Sequence, residues 1–336
     1  MTVMASQRIA LAVVILNYRT PELVIGCLDS LAPEVAGQPI EAIVVDNASG
    51  DGSAERLERE IAARQWTWAR VVGSQANGGF SAGNNLGIRS IDAEAYLLLN
   101  SDTLLRRGAV ACLQRHLMRH PDVAIVAPRL EGPDGEPQVS SFRQATPFTE
   151  FLRAARTGPL DRLFSRHVTA KPIPADPEDA VWVSFAAVMI RRDAIERVGV
   201  LDEGYFMYFE DADFCWRARR AGWRVRYCPD ARVVHLQGGS SRFNSLGAGR
   251  MRLPAYHYAS RARYYAKVYG RSGLWLANAL WAAGRCVSLA REAFDRRPTH
   301  VCERQGRDNW TNWRHPLRRP LAPAGRELGR GDPQAP

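Results

Sequence analysis

The first hundred residues alternate short apolar runs with amphipathic stretches. Residues 9–16, 42–45, 69–72 and 96–99 are rich in β-branched side chains or leucine and have the length of strands. Between them the pattern predicts a helix over 21–31, entered through Thr20 with Pro21 at its first position. A second helix is expected over 53–63, after a Gly-Asp-Gly turn and with Glu55 early. Nearly continuous apolar strands separated by helices indicate an α/β fold whose mostly parallel sheet is covered on both faces. Farther along, the pattern predicts a helix over 104–118, a strand over 181–190, a helix over 191–198 and a short helix over 215–221. Two loop excursions, 131–147 and 171–179, look like the rim of a site.

After Ser241 the pattern changes. Residues 255–269 and 274–294 are rich in alanine, aromatics and arginine and predict two helices, whereas 298–336 is rich in Pro, Gly and Arg and is expected to be largely disordered. This divides the chain into 1–241, a helical extension 242–297 and a tail 298–336.

Composition narrows the class. Hydrophobic residues at 46% and charged residues at 24% of 336 are globular values, which argues against a disordered or fibrous chain. The apolar run 9–16 is too short for a signal peptide or membrane span. The six cysteines lie far apart, which fits neither a zinc module nor a disulfide framework, and a reducing cytoplasm is expected. The net charge of +10 is unevenly placed: 18 of the 45 basic residues but only 6 of the 35 acidic ones lie from Arg242 onward. Such asymmetry suits nucleic acid, an anionic membrane surface or a solvated tail.

In sheets of this kind ligands bind beyond the carboxyl ends of the strands, so the residues that follow each run carry the candidate chemistry. They are Asn17-Tyr18-Arg19, Asp46-Asn47-Ala48-Ser49, Asn77-Gly78-Gly79-Phe80 and Asn100-Ser101-Asp102. Asp46 can accept hydrogen bonds from a ribose or base, or belong to a helix-capping turn. The Asn/Gly-rich stretch 77–85 lacks the dinucleotide-binding spacing but can let a ligand approach the backbone. Asp102 can hold a hard divalent cation, or cap the following helix. In Phe206-Met207-Tyr208-Phe209-Glu210-Asp211-Ala212-Asp213-Phe214, three carboxylates crowd among aromatics. Mutual repulsion and an apolar setting raise a carboxyl pKa as a general base requires, although an acidic first helical turn has the same sequence signature. His235 ends an apolar run and is a metal ligand, a phosphate contact or a structural histidine.

Taken in order, these blocks resemble family 2 glycosyltransferases with the GT-A fold, in particular the rhamnosyltransferase-like group. The matching text is Val13-Val14-Ile15-Leu16-Asn17-Tyr18, Val45-Asp46-Asn47-Ala48-Ser49, Asn77-Gly78-Gly79-Phe80, Leu99-Asn100-Ser101-Asp102-Thr103, and the run from Val200-Leu201-Asp202-Glu203 through Asp211 and Asp213 to His235. The resemblance implies inverting transfer of a sugar, rhamnose by the group's label, from a nucleotide-diphosphate donor to a glycan or lipid-linked acceptor in cell-surface polysaccharide synthesis. It implies Asp102 and His235 as ligands of Mg²⁺ or Mn²⁺, Asp211 as general base, and Glu210 and Asp213 as its orienting partners. Asn17, Asp46, Asn77, Gly78, Gly79, Asn84, Asn100 and Ser101 would line the nucleotide-sugar side. Asn100 stands where the family's metal motif carries a second aspartate. A protein that keeps the fold and binds nucleotide-sugar or nucleic acid without turnover is the alternative; nucleic acid is not expected as a partner. The basic extension, with Tyr256, Tyr258, Tyr264, Tyr265, Trp275 and Trp281, suits peripheral contact at the inner face of the plasma membrane or packing on the catalytic domain.

Overall fold

The computed structural model describes residues 9–171, 180–237, 243–295 and 299–318. Its first half runs β1 (Leu11–Asn17), α1 (Pro21–Val35), β2 (Ile40–Asp46), α2 (Ser53–Ala63), β3 (Ala69–Gly73), α3 (Gly79–Arg89) and β4 (Ala95–Asn100). Then come β5 (Thr103–Leu105), α4 (Ala109–Arg119), β6 (Val123–Glu131), β7 (Ser141–Phe142), α5 (Pro147–Ala155) and α6 (Gly158–Leu163). The chain continues with β8 (Trp182–Val183), β9 (Ala187–Arg191), α7 (Arg192–Val198), α8 (Glu210–Arg220) and β10 (Arg224–His235). It closes with α9 (Phe243–Ala248), α10 (Ala255–Asp295) and α11 (Gln305–Asp308).

Eight strands form one sheet in the order β3-β2-β1-β4-β9-β6-β10-β5. The β3-β2-β1-β4 half is parallel, and β9 joins it to β6 through antiparallel pairing on both sides. Because side chains alternate across a strand, β1 feeds two cores. Leu11, Val13 and Ile15 pack with Val24, Leu28 and Leu31 of α1, while Ala12 and Val14 pack on the other face with Ile88 of α3 and Phe214 of α8. The α/β expectation therefore holds, with a mixed rather than uniformly parallel sheet.

Three local expectations change. The strand over 181–190 splits at Ser184–Ala186, because β8 pairs with β7 in a two-stranded sheet and β9 with β4 and β6. The helix placed over 104–118 begins only at Ala109: Thr103–Leu105 is captured as a strand by β10, and Gly108 turns the chain at φ 81°. The helix placed over 215–221 begins at Glu210, so the acidic cluster is its first turn.

The extension is not a separate layer. Tyr256, Tyr258, Tyr264, Tyr265 and Trp281, offered above as lipid contacts, are buried, and of the six aromatics only Trp275 is substantially exposed, at 47%. α10 breaks at Gly270 (φ 73°) and packs along α5, where a Cβ on Gly284 would lie 2.3 Å from the Phe151 carbonyl oxygen. At this contact Glu150, Arg261 and Tyr265 are buried together: Tyr265 Oη donates to Glu150 Oε1 at 2.8 Å and Arg261 Nη2 lies 3.2 Å from Glu150 Oε2. Residues 299–318, expected within the disordered tail, also fold back onto α10. Arg252 pairs with the buried Asp308 through two hydrogen bonds of 2.8 and 2.9 Å, and Trp310 and Trp313 gather around Trp275. Few apolar residues suffice there because Trp310 and Trp313 meet Trp275, already held on α10. The boundary drawn at 241, residues 172–179 of the 171–179 loop and residues 319–336 lie outside the described residues.

Candidate active site

Beyond the strand ends lies a cavity of about 440 Å³. One side of it is built by the parallel half of the sheet: Tyr18, Arg19 and Thr20 after β1, Asn47 after β2, Asn77, Gly79 and Phe80 at the start of α3, and Asn100 and Ser101 after β4. This is the place the topology provides for a ligand. Asn47 ties the second and third of these segments together, since its Nδ2 donates to Asn77 Oδ1 at 2.9 Å and to the Gly79 carbonyl at 3.2 Å. Gly79 is required here: its φ is 82°, and a Cβ would lie 2.0 Å from the Phe206 carbonyl oxygen. That same oxygen accepts from the Phe80 N–H at 2.7 Å, so the Asn/Gly loop is fastened to the segment carrying the acids.

Asp102 and His235 meet across two elements. β10 runs antiparallel to β5 with His235 opposite Thr103, which brings His235 Nε2 to 3.6 Å from Asp102 Oδ1. Both side chains line the cavity, and Asp102 is 1% exposed. Burial lowers the His235 pKa, against the opposing pull of the Asp102 carboxylate, which favours a neutral imidazole able to bind metal. Among the described residues no group of three or more His, Cys, Asp or Glu gathers as a metal cage. A carboxylate and a neutral imidazole facing one cavity nevertheless fit a hard cation that takes its remaining ligands from water and diphosphate oxygens.

Two of the acids also line the cavity. Tyr208 and Phe209 both adopt left-handed backbone, with φ of 71° and 69°, immediately before α8. Two consecutive non-glycine residues in that region store strain, a feature that clusters at functional sites. The turn places Glu210 and Asp211 at the helix start, facing the cavity. Burial pushes the Asp211 carboxyl up to about 7, although the Ala212 N–H bonded to it at 2.7 Å works the other way. Burial, and next the charge of Asp211, raise Glu210 well above the usual carboxylate range. Here the acidic helical turn and the buried acid cluster, set as alternatives above, are both present.

Five of the proposed site residues do not line the cavity. Asp213 points away from it: its carboxylate is held by Arg217 Nε at 2.8 Å, by Lys267 Nζ at 2.8 Å and by the Tyr205 hydroxyl at 3.3 Å, which anchors α8. Asn84 is buried within α3, its Nδ2 bonded to the Phe80 carbonyl at 2.9 Å. Asn17 donates from Nδ2 to Asp46 Oδ1 at 2.7 Å, and Ser49 holds both Asp46 oxygens, at 2.6 and 3.1 Å. The Asn17–Asp46 contact ties the ends of β1 and β2 together. Gly78 caps α3 without reaching the cavity.

Sequence reasoning missed an aromatic wall beside the acids, formed by Phe142, Phe206, Tyr208, Phe243 and Tyr256. Tyr208 lies 4.3 Å from the Phe243 ring and 6.3 Å from that of Tyr256, centroid to centroid. The five come from four separate segments, so no local motif joins them. Only the aromatic density around 206–209 hinted at it.

The sequence model described as glycosyltransferase like family 2 matches residues 8–248. The chain belongs to glycosyltransferase family 2. Among curated relatives of this glycosyltransferase is the N-acetylglucosaminyl-diphospho-decaprenol L-rhamnosyltransferase of Mycobacterium tuberculosis, 27% identical over 77% of this chain and 84% of that protein. The low-salt glycan biosynthesis hexosyltransferase of Haloferax volcanii is 29% identical over 70% of each chain, and the dTDP-rhamnosyl transferase of Shigella flexneri is 26% identical over 68% and 69%. Among solved structures, the Pyrobaculum calidifontis mannosyltransferase, crystallised with GDP-mannose and Mn²⁺, superposes with a TM-score of 0.54 at 16% identity, covering 93% of this chain and 86% of that one. The shared fold is GT-A.

Proposed function

We infer that this glycosyltransferase moves a rhamnosyl unit from a nucleoside-diphosphate donor to an N-acetylglucosamine or short glycan carried on a polyprenyl diphosphate at the inner membrane face. The sugar and the acceptor rest on the names of the relatives. The mechanism rests on one observation: a single cavity is lined both by a half-buried carboxyl pushed up to about 7 and by a carboxylate–imidazole pair.

A Mg²⁺ or Mn²⁺ bound by Asp102 and His235 would neutralise the departing diphosphate. Asn47, Asn77 and the backbone at Gly79 border the side where the nucleotide would lie. Asp211 accepts the proton of the acceptor hydroxyl as that oxygen attacks the anomeric carbon from the face opposite the leaving group, giving one displacement and inverted configuration. A pKa near the working pH suits a base that must lose its proton before each turnover and take up another during it. Burial and the charge of Asp211 favour the neutral form of Glu210, which leaves Asp211 as the member of the pair that would carry the charge. Aromatic faces beside the base would receive the apolar face of the acceptor sugar.

Asp211→Asn tests the assignment, since it removes the base with little change of volume. Transfer is expected to fall by roughly 10²–10⁴-fold, while the thermal shift produced by dTDP-rhamnose and Mn²⁺ persists and the wild-type product shows inverted anomeric configuration by NMR. Equal loss of donor binding, or retained configuration, would sink the reading.

A further inference from the structure

The second half of α10 presents an apolar face to solvent. Every exposed residue between Arg271 and Arg291 is uncharged, and all but Ser272 are apolar. Trp275, Leu276 and Leu289 are 47%, 52% and 50% exposed. At 1.5 Å per residue the face runs about 30 Å. The opposite side of the helix is spent on α5, so this is a two-faced helix with one face unpartnered. No helix among the described residues is long and apolar enough to cross a membrane.

The chemistry around this face identifies what it meets. At its start Trp275 lies 4.8 Å from Trp310 and 5.3 Å from Trp313, centroid to centroid, and Arg314 stacks on Trp313 at 5.0 Å. Beside this trio, a shallow pocket of about 580 Å³ is lined by Arg271, Arg314, His315 and Arg318, with Pro316 and Leu317. Tryptophans flanked by arginines at the edge of an apolar helix face match a membrane interface, where indoles sit at headgroup level and guanidiniums bind phosphate. An anionic lipid surface is complementary to both the face and its rim.

We propose that this face of α10, with the Trp275–Trp310–Trp313 cluster and the Arg271/Arg314/Arg318 pocket, docks in the plane of an anionic phospholipid membrane, the pocket taking lipid phosphate. Docking would serve the lipid-linked acceptor inferred above and rests on that reading only for its purpose. Of the six aromatics that the composition of the extension suggested, Trp275 alone belongs to this face; the other five are buried.

Co-sedimentation of the full chain with phosphatidylcholine vesicles, with and without phosphatidylglycerol, reads the docking directly. Binding is expected with phosphatidylglycerol, weakened by salt. Trp275→Ser combined with Leu289→Ser should lower the partition coefficient about tenfold or more, and Arg271→Gln with Arg314→Gln should erase the preference for the anionic lipid. An unchanged circular-dichroism spectrum checks that the surface variants fold. No sedimentation of the wild type, or equal sedimentation of wild type and serine variant, overturns the proposal. So does a wild-type dimer in light scattering that the same serines dissolve. Transfer to a short-chain, water-soluble analogue of N-acetylglucosaminyl-diphospho-polyprenol should be equal in wild type and variants. Failure of that transfer in the wild type would remove the acceptor reading and leave the vesicle result standing.

Discussion

At Gly79 a single hydrogen atom decides the geometry of the site. The residue sits at φ 82° against the Phe206 carbonyl, so Gly79→Ala adds backbone strain and pushes the donor-side loop off the segment that carries Asp211. The expected result is a loss of roughly 1–3 kcal/mol of stability, read by denaturant unfolding, and weaker donor binding. Asp211 shows the opposite tension. Because its folded pKa is raised to about 7, the stability it contributes is fully present below the ordinary carboxylate range and is lost as pH rises through about 7. Asp211→Asn should therefore lose transfer and, from neutral pH upward, be more stable than wild type by up to about 4 kcal/mol, the full cost of ionising a carboxyl raised to about 7. Wild-type transfer should rise with pH through the same region as the base loses its proton.

At the scale of elements, two helices are held by buried charge. In α8 the first turn carries Glu210, Asp211 and Asp213, and among the described residues Asp213 is the one paired with cations, Arg217 and Lys267. One acid anchors the helix while its neighbours stay poised towards the cavity. Between α5 and α10, burial alone would raise the Glu150 carboxyl. The Arg261 and Arg153 guanidiniums and the Tyr265 hydroxyl outweigh it and hold the pKa at about 2. A depressed pKa contributes stability above the ordinary carboxylate range that is lost as pH falls towards about 2. Glu150→Gln leaves Arg261, 2% exposed, without its charge partner. It should cost about 3–5 kcal/mol at neutral pH and flatten the acid limb of the stability profile, which a pH series of thermal melts would check.

At the scale of the whole molecule, the extension completes the catalytic domain. Tyr256 from α10 and Phe243 from α9 line the cavity, and Lys267 from α10 anchors the helix that carries Asp211. Residues 299–318 in turn cover α10: Asp308 is buried on Arg252, Arg263 Nη1 donates to the Leu317 carbonyl at 2.7 Å, and Gly306 sits against the Trp281 ring. Truncation after Asp295 should lower Tm by several degrees and reduce transfer. Unchanged melting of the truncated chain would show that this segment only rests on the surface.

Sequence alone determined the parallel half of the sheet and the part of the site strung along it. Apolar runs of strand length, each ended by small polar residues, leave a chain one way to bury its strands and one end at which to bind a ligand. Asn77, Gly79, Asn100, Ser101, Asp102, Glu210, Asp211 and His235 could be found in this way because each ends or begins an element whose period is local. Tertiary structure alone decided how the acids divide their labour, since neutralisation of Asp213 requires a lysine 54 residues away. It also decided that Asn17, Asp46 and Asn84 bond within the chain and do not line the cavity, and that aromatics from four segments do. It sorted the aromatics of the extension into buried and exposed as well. Composition counts them alike, whereas helix packing on α5 fixes which face of α10 remains open.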